Sequence, residues 1–313
     1  MRRLYSLIFA LALPLILLRL CWQGWRNPAY RDRWPQRLGL YGRGRPPESP
    51  LWIHAVSVGE VGAAAPLIRA LRERYPYRNI LVTTSTPTGY ATVARQFGET
   101  VHHAYFPYDL LPIVGRFLRH FRPRMLLLME TELWPNVIHA CHAAQIPVLL
   151  VNGRMSERSA RRYLAFRGLC AGMLHQVSRI AAQSEADAAR LVSLGAESAR
   201  VRVTGSLKFD VHLPSSVFEE GASIRRELGA NRARCGFSKG ASSKRHDDAY
   251  RLGRPGLRLC RPGQSNTGKR YASGHDTAPQ QRVQAVHRSL LHAMTSTAET
   301  MTGLRHAAPP TKS

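Results

Sequence analysis

The sequence predicts an α/β protein: a doubly wound, parallel-sheet domain that follows an N-terminal apolar helix and precedes a basic segment without periodicity. Three observations carry this. One unbroken apolar run, Leu4 to Leu18, lies near the start between arginines. From Leu51 onward short apolar runs alternate with helical patterns, which marks parallel strands covered on both faces. Beyond Asn231 both kinds of periodicity vanish.

The opening stretch, "MRRLYSLIFALALPLILLRLCWQGW", shows no A-x-A cleavage site, and bulky Leu20 before Cys21 does not fit lipoprotein processing, so the segment is read as retained. About 15 apolar helical residues reach only ~22 Å against a hydrocarbon core of ~30 Å, and Pro14 lies inside the run. A simple crossing is therefore not expected. Arg2 and Arg3 precede the run, and Arg19, Arg26, Arg31, Arg33 and Arg37 follow it, so charge gives no orientation. The reading is an insertion into one leaflet with Trp22, Trp25, Tyr30 and Trp34 at headgroup level; a tilted single crossing is the alternative.

Strands are predicted at "LWIHAV", "ILVTTS", "VHHAYF", "MLLLME", "PVLLVN", "RIAAQS" and "VRVTG". Helices fit "VGAAAPLIRALRERY", "TGYATVARQF", "LLPIVGRFLRHF", "WPNVIHACHAAQ", "RSARRYLAFRGLCAGMLHQ" and "EADAARLVSLGA" between them. This gives an anchor and juxtamembrane segment over 1–42, a Rossmann-like domain over 43–211, a linker over 212–231 and a basic tail over 232–313.

In such sheets ligands bind outside the carboxyl ends of the strands. The residues there are "SVGE", "TSTPTG", "ETELWPN", "NGRMSERS" and "GSLKFD", which bring Glu60, Glu130, Glu132, Asn152, Arg154 and Lys208 to one rim. Ser57 and Glu60 also stand at capping-box spacing, so Glu60 has both a structural and a chemical reading. No G-x-G-x-x-G and no G-K-[ST] loop is present, which excludes a dinucleotide or nucleoside triphosphate as ligand of this half. A carboxylate facing a lysine across a cleft, without metal-ligand spacing, suggests a general base beside a cationic stabiliser.

Forty-five Lys+Arg against 20 Asp+Glu call for an anionic partner. No aromatic stacking module interleaves with the charge, which makes nucleic acid the minor alternative to acidic lipid headgroups or a phosphorylated substrate. The five cysteines are odd in number and scattered, supporting neither a disulfide framework nor a zinc ribbon. The "HACH" tetrad puts His139 and His142 on one helix face, but lacks the glutamate of a zincin pattern and reads as a packed helix.

The motifs "HAVSVGE", "TTSTPTG", "YFPYDL", "METELWPN" and "VTGSLKFD", together with "YRDRWPQRLGLY" after the anchor, closely resemble the Kdo (3-deoxy-D-manno-octulosonic acid) transferase family over residues 1–231. The resemblance implies a GT-B glycosyltransferase that is inverting and metal-independent, with no cofactor. Its first Rossmann-like domain holds a lipid A precursor and its second holds CMP-Kdo, at the cytoplasmic face of the bacterial inner membrane. By motif, Glu60 corresponds to the general base, with a pKa raised by burial near Glu130, while Glu130 and Lys208 correspond to transition-state stabilisers. Ser57, Gly59, Thr88, Gly89, Glu132, Asn152, Arg154, Arg161 and Arg162 are the candidate substrate-binding residues. Arg158, Arg161, Arg162 and Arg167 are expected to reach phosphates of the acceptor while Leu164, Phe166, Leu169 and Met173 touch acyl chains, against the alternative of a helix packed on the sheet.

Residues 231–313 depart from the family. They hold 15 Lys+Arg, 4 Asp+Glu and only nine Leu, Ile, Val or Phe, an apolar content at which a charged chain is expected to stay disordered. The family's "STHEGE", "PRHPERF" and "GGHNPLE" donor motifs are missing, and only "AVHRSLLHAM" echoes one of its helices. Such Arg-, Ala-, Gly-, Pro- and Ser-rich text is what a GC-rich gene gives when read out of frame, and the tail is read as a frameshift product. On that reading the chain is inactive alone; the alternative to an enzyme is a membrane-bound acceptor-binding remnant.

Overall fold

The computed structural model describes residues 1–42, 44 and 46–207. The expectations for Lys208, for the linker over 212–231 and for the tail over 232–313 lie outside the described residues.

Seven strands form one parallel sheet in the order β3-β2-β1-β4-β5-β6-β7. They are β1 (Leu51–His54), β2 (Ile80–Thr84), β3 (His102–Tyr105), β4 (Met125–Met129), β5 (Val148–Gly153), β6 (Arg179–Ala182) and β7 (Val201–Val203). Every predicted apolar run is a strand, and β1, β2, β4 and β5 are buried along their whole length. The interleaved helices are α2 (Val58–Arg74), α3 (Pro87–Phe97), α4 (Leu111–Phe121), α5 (Pro135–Ala143), α6 (Glu157–Leu164), α7 (Arg167–Leu174) and α8 (Glu185–Ser193).

Alternation along the strands divides the core. Trp52, Leu81, Leu126, Leu128, Val148 and Leu150 pack with the inner sides of α4, α5, α7 and α8. Leu51, Ile53, Val82, Leu127, Leu149 and Val151 pack with α2 and α3 on the other face. Two helix starts show why the chain turns where it does: the Thr86 hydroxyl accepts the Gly89 N–H at 3.1 Å with Pro87 in the first turn, and Ser184 accepts the Asp187 N–H at 3.1 Å. At the end of α8, Gly195 has φ +111°, and a Cβ there would lie 2.6 Å from the Ala171 Cβ, so that turn needs glycine.

Two expectations need correction. The stretch "RSARRYLAFRGLCAGMLHQ" is not one helix: α6 ends at Leu164, and Phe166, with φ −118° and ψ 34°, opens α7 on a new axis. Met173 is consequently core and Leu169 half-buried, whereas Leu164 (45%) and Phe166 (61%) stay exposed. The apolar N-terminal segment is also longer than its hydropathy suggests. Helix α1 runs Arg2–Arg26 through Pro14, and 25 residues reach ~37 Å, enough by length and composition to cross a membrane.

The exposure pattern of α1 divides it into two faces. Arg2, Tyr5, Ser6, Phe9, Ala12, Leu13, Ile16, Leu17, Leu20, Gln23 and Gly24 are the less exposed positions, recurring every three or four residues. That face turns to the domain: the Phe9 ring lies 6.5 Å from Tyr108, and Arg31 Nε donates to the Gly24 carbonyl at 2.6 Å. The opposite face exposes Leu4, Leu7, Ile8, Leu11, Leu15, Leu18, Trp22 and Trp25 as a continuous stripe.

Candidate active site

The strand order reverses between β1 and β4, which are paired from Leu51↔Met125 to His54↔Leu128. In open α/β sheets the crevice at such a switch point is the usual ligand site. Here the loop after β1 brings Glu60 and the loop after β4 brings Glu130 and Glu132.

Glu60 sits in the first turn of α2 and is half-buried. Its Oε2 accepts the Val56 N–H at 2.8 Å and its Oε1 accepts the Ser57 hydroxyl at 3.4 Å. The backbone bond is not that of a capping box, because its donor, Val56, is the residue before the N-cap Ser57 and not Ser57 itself. The Ser57 side chain makes no cap bond to the helix and turns to Glu60 instead. The carboxylate is thereby held in place, which serves a base as well as a cap.

Glu130 has φ +55°, a left-handed conformation that costs a non-glycine residue about 1–3 kcal/mol, and its N–H donates to the Val151 carbonyl at 2.9 Å. Glu132 carries the clearest electrostatic signature. Burial first, then the charges of Glu60 and Glu130, push its carboxyl up to about 7. The three acids thus form one interacting cluster. Tyr163 on α6 belongs to the same neighbourhood, its phenol raised by burial and by the charge of Glu132. The Thr131 hydroxyl donates to the Arg154 carbonyl, tying the loop after β4 to the loop after β5.

At the end of β5 a register shift between Leu150 and Gly153 accompanies a second left-handed residue, Asn152, at φ +58°. Asn152 is 1% exposed. Its Oδ1 accepts the Leu207 N–H at 3.1 Å and its carbonyl accepts Gln183 Nε2 at 3.0 Å, while its Nδ2 is buried without a partner among the described residues. Its amide holds the chain immediately before Lys208.

The other sequence candidates are more scattered. Gly59 is exposed in the first turn of α2. Thr88 is exposed, with its hydroxyl on Thr86 Oγ1 at 3.3 Å. Gly89 is buried, and a Cβ there would lie 3.1 Å from Thr84 Cβ, so it lets α3 start close against β2. Arg154 and Arg162 are exposed; Arg161 pairs with Glu157 at 2.6 Å, an exposed (i, i+4) contact. In the "HACH" stretch Cys141 faces the core, and among the described residues no group of three or more His, Cys, Asp or Glu is placed to hold a metal ion. His54 of "HAVSVGE" is fully buried, stacked 3.6 Å from Phe106, and burial pushes it down to about 3, which keeps it neutral.

Sequence reasoning missed Asp109, the acid of "YFPYDL". It is fully buried; Oδ1 accepts the Val137 N–H at 2.7 Å and Oδ2 accepts the Asn136 N–H at 3.1 Å, so it caps α5 from another loop. Burial, only partly offset by these donors and the Tyr5 hydroxyl, pushes its carboxyl up to about 6. The motif held the signal, but no spacing rule connects position 109 to position 136.

Comparison with known proteins completes the description. Residues 32–211 match the family "3-Deoxy-D-manno-octulosonic-acid transferase (kdotransferase)". A 3-deoxy-D-manno-octulosonic acid transferase of Haemophilus influenzae is 39% identical over 225 residues, covering 72% of this chain and 53% of the relative. One of Bordetella pertussis is 39% identical over 236 residues, covering 70% and 52%. A UDP-GlcNAc 2-epimerase of Neisseria meningitidis bound to UDP-GlcNAc aligns in structure at TM-score 0.41 and 18% identity, over 58% of this chain and 53% of that one. The chain spans about half the length of the curated relatives it matches. On the family match, the motifs and the parallel sheet together, the chain belongs to the Kdo transferase family of glycosyltransferases.

Proposed function

We propose that residues 43–211 form the acceptor domain of an inverting, metal-independent glycosyltransferase that moves Kdo from CMP-Kdo to a lipid A precursor, lipid IVA, at the cytoplasmic face of the bacterial inner membrane. Glu60 takes the proton of the acceptor hydroxyl as its oxygen bonds to the anomeric carbon. The bond from that carbon to the CMP phosphate oxygen breaks, and CMP leaves with the electron pair. Glu130 and Lys208 stabilise the transition state. Ser57, Gly59, Thr88, Gly89, Glu132, Asn152, Arg154, Arg161 and Arg162 bind and shape the substrate site. Helix α1 lies in one leaflet on its exposed stripe, with Trp22, Trp25, Tyr30 and Trp34 at headgroup level.

The observation that supports this most is the carboxylate cluster at the β1/β4 switch point. Glu132, pushed up to about 7, retains a proton for part of the time near neutral pH and can donate it in a hydrogen bond to an acceptor oxygen. A pair of acids whose environments differ in this way suits a site that needs one group to accept a proton and another to hold one. The test is equilibrium binding of lipid IVA to the full chain in detergent. Saturable binding that phosphatidylglycerol does not compete away is expected; equal affinity for both lipids would contradict the reading.

A second reading, a membrane-bound acceptor-binding remnant without transferase activity, is favoured by one observation: residues 232–313 carry none of the family's donor motifs. Binding and turnover of CMP-Kdo separate the two.

A further inference from the structure

Helix α1 and the carboxylate loop meet at one buried polar junction. Asn136, fully buried in the first turn of α5, follows Glu130 by six residues and Glu132 by four. Its Oδ1 accepts two hydrogen bonds from α1, from Ser6 Oγ at 3.0 Å and from Arg2 Nη1 at 3.2 Å. Its Nδ2 donates to the Asp109 carbonyl at 2.7 Å. The Asp109 carboxylate accepts the backbone N–H groups of Asn136 and Val137, and the Tyr5 hydroxyl of α1 faces the same carboxylate and lowers the cost of its charge. Phe9 of α1 lies against Tyr108, the residue before Asp109.

We propose that helix α1 is a component of the acceptor site, and that Asp109 and Asn136 are positioning residues through which its seating sets the loop that carries Glu130 and Glu132. The proposal rests on the acceptor-site reading above. The physical argument is one of obligation. A buried carboxylate and a buried amide require their donors, because leaving either unsatisfied costs more than the bonds themselves contribute. With α1 seated, Tyr5, Ser6 and Arg2 complete both groups. Unseated, Asn136 Oδ1 loses two donors and Asp109 one, and the start of α5 recovers partners only by moving. The loop ahead of it holds Glu130 in a left-handed conformation that persists only where its surroundings enforce it.

The exposed stripe and the junction occupy opposite faces of α1, so membrane attachment and site assembly are separable. In full-length protein, the double variant Tyr5→Phe/Ser6→Ala removes two donors without touching α5 or the stripe, and Leu11→Asp/Leu15→Asp alters the stripe alone. The junction variant is expected to sediment with membranes and to melt in one cooperative transition, about 4–8 °C below wild type. Hydrogen exchange should accelerate at residues 130–137 and stay unchanged in α8. Its affinity for lipid IVA should fall by about tenfold, as loss of two net hydrogen bonds implies. The stripe variant should leave the membrane fraction but bind lipid IVA in detergent like wild type. Exchange at 130–137 unchanged in the junction variant, or accelerated equally throughout the domain, would overturn the coupling whatever the ligand does. Wild-type protein that failed to bind lipid IVA would instead overturn the acceptor reading, and the role given to the junction with it.

Discussion

Replacing Glu132 by glutamine removes the carboxyl whose ionisation this fold opposes, and the consequence for stability has a definite sign. The group titrates near 7 in the folded protein, raised from an ordinary 4.5 by burial and by Glu60 and Glu130. An acid raised on folding binds more protons folded than unfolded between those two values. The contribution of this group to wild-type stability is therefore fullest below about pH 4.5, falls as pH rises toward 7, and is flat above. The displacement corresponds to about 3 kcal/mol at 1.36 kcal/mol per pH unit. About 2 kcal/mol is a fairer figure, because the side chain keeps some access to solvent and the three acids titrate together. Glutamine resembles the protonated form at every pH. Glu132→Gln should match wild type near pH 4.5 and melt about 4–8 °C higher at pH 8, given the usual sensitivity of domains of this size. Thermal melts of both proteins in one detergent from pH 4.5 to 8.5 measure the gap. A gap that did not change with pH would refute the reasoning, and so would a variant less stable than wild type at pH 8.

Two further outcomes are expected. Among the described cysteines, Cys21 is exposed while Cys141 and Cys170 are buried with thiols pushed up by burial; maleimide at pH 7 should label Cys21 and spare the other two until the protein is denatured, as read by peptide mass spectrometry. Gly195→Ala forces a side chain into a left-handed turn and onto Ala171 at 2.6 Å, so it should cost about 2–3 kcal/mol in a denaturant titration, and a loss under about 0.5 kcal/mol would show that the turn relaxes freely.

Much of the fold was legible because parallel strands buried on both faces read as apolar runs, and all seven were found that way. The limits of α1 were not legible, since hydropathy stops at Leu18 whereas the helix continues through Arg19 and Gln23 to Arg26. The break at Phe166 was hidden because neither glycine nor proline marks it. At the site, the loops after β1 and β4 were identifiable from where the strands end. That the fold would perturb Glu132 was not: its burial and its two charged neighbours exist only once β1 and β4 are paired. Asp109 and Asn136 escaped for the same reason, being 27 residues apart and joined only by tertiary contact.

The central claim is that Glu60 acts as the base of a Kdo transfer reaction. Its carboxylate also accepts the Val56 N–H at 2.8 Å, so the decisive variant must keep that acceptor while losing basicity, which Glu60→Gln does. The measurement is transfer of Kdo from CMP-Kdo to lipid IVA by a fusion in which the second domain of the Haemophilus influenzae relative follows residue 231. The unfused chain should show no turnover and the fusion should. Glu60→Gln in the fusion should lower kcat by roughly 100- to 10,000-fold with an unchanged melting temperature, whereas loss of a cap alone costs only ~1 kcal/mol of stability. A fusion whose Glu60→Gln variant kept near-normal turnover would contradict the account and leave Glu60 as a capping residue.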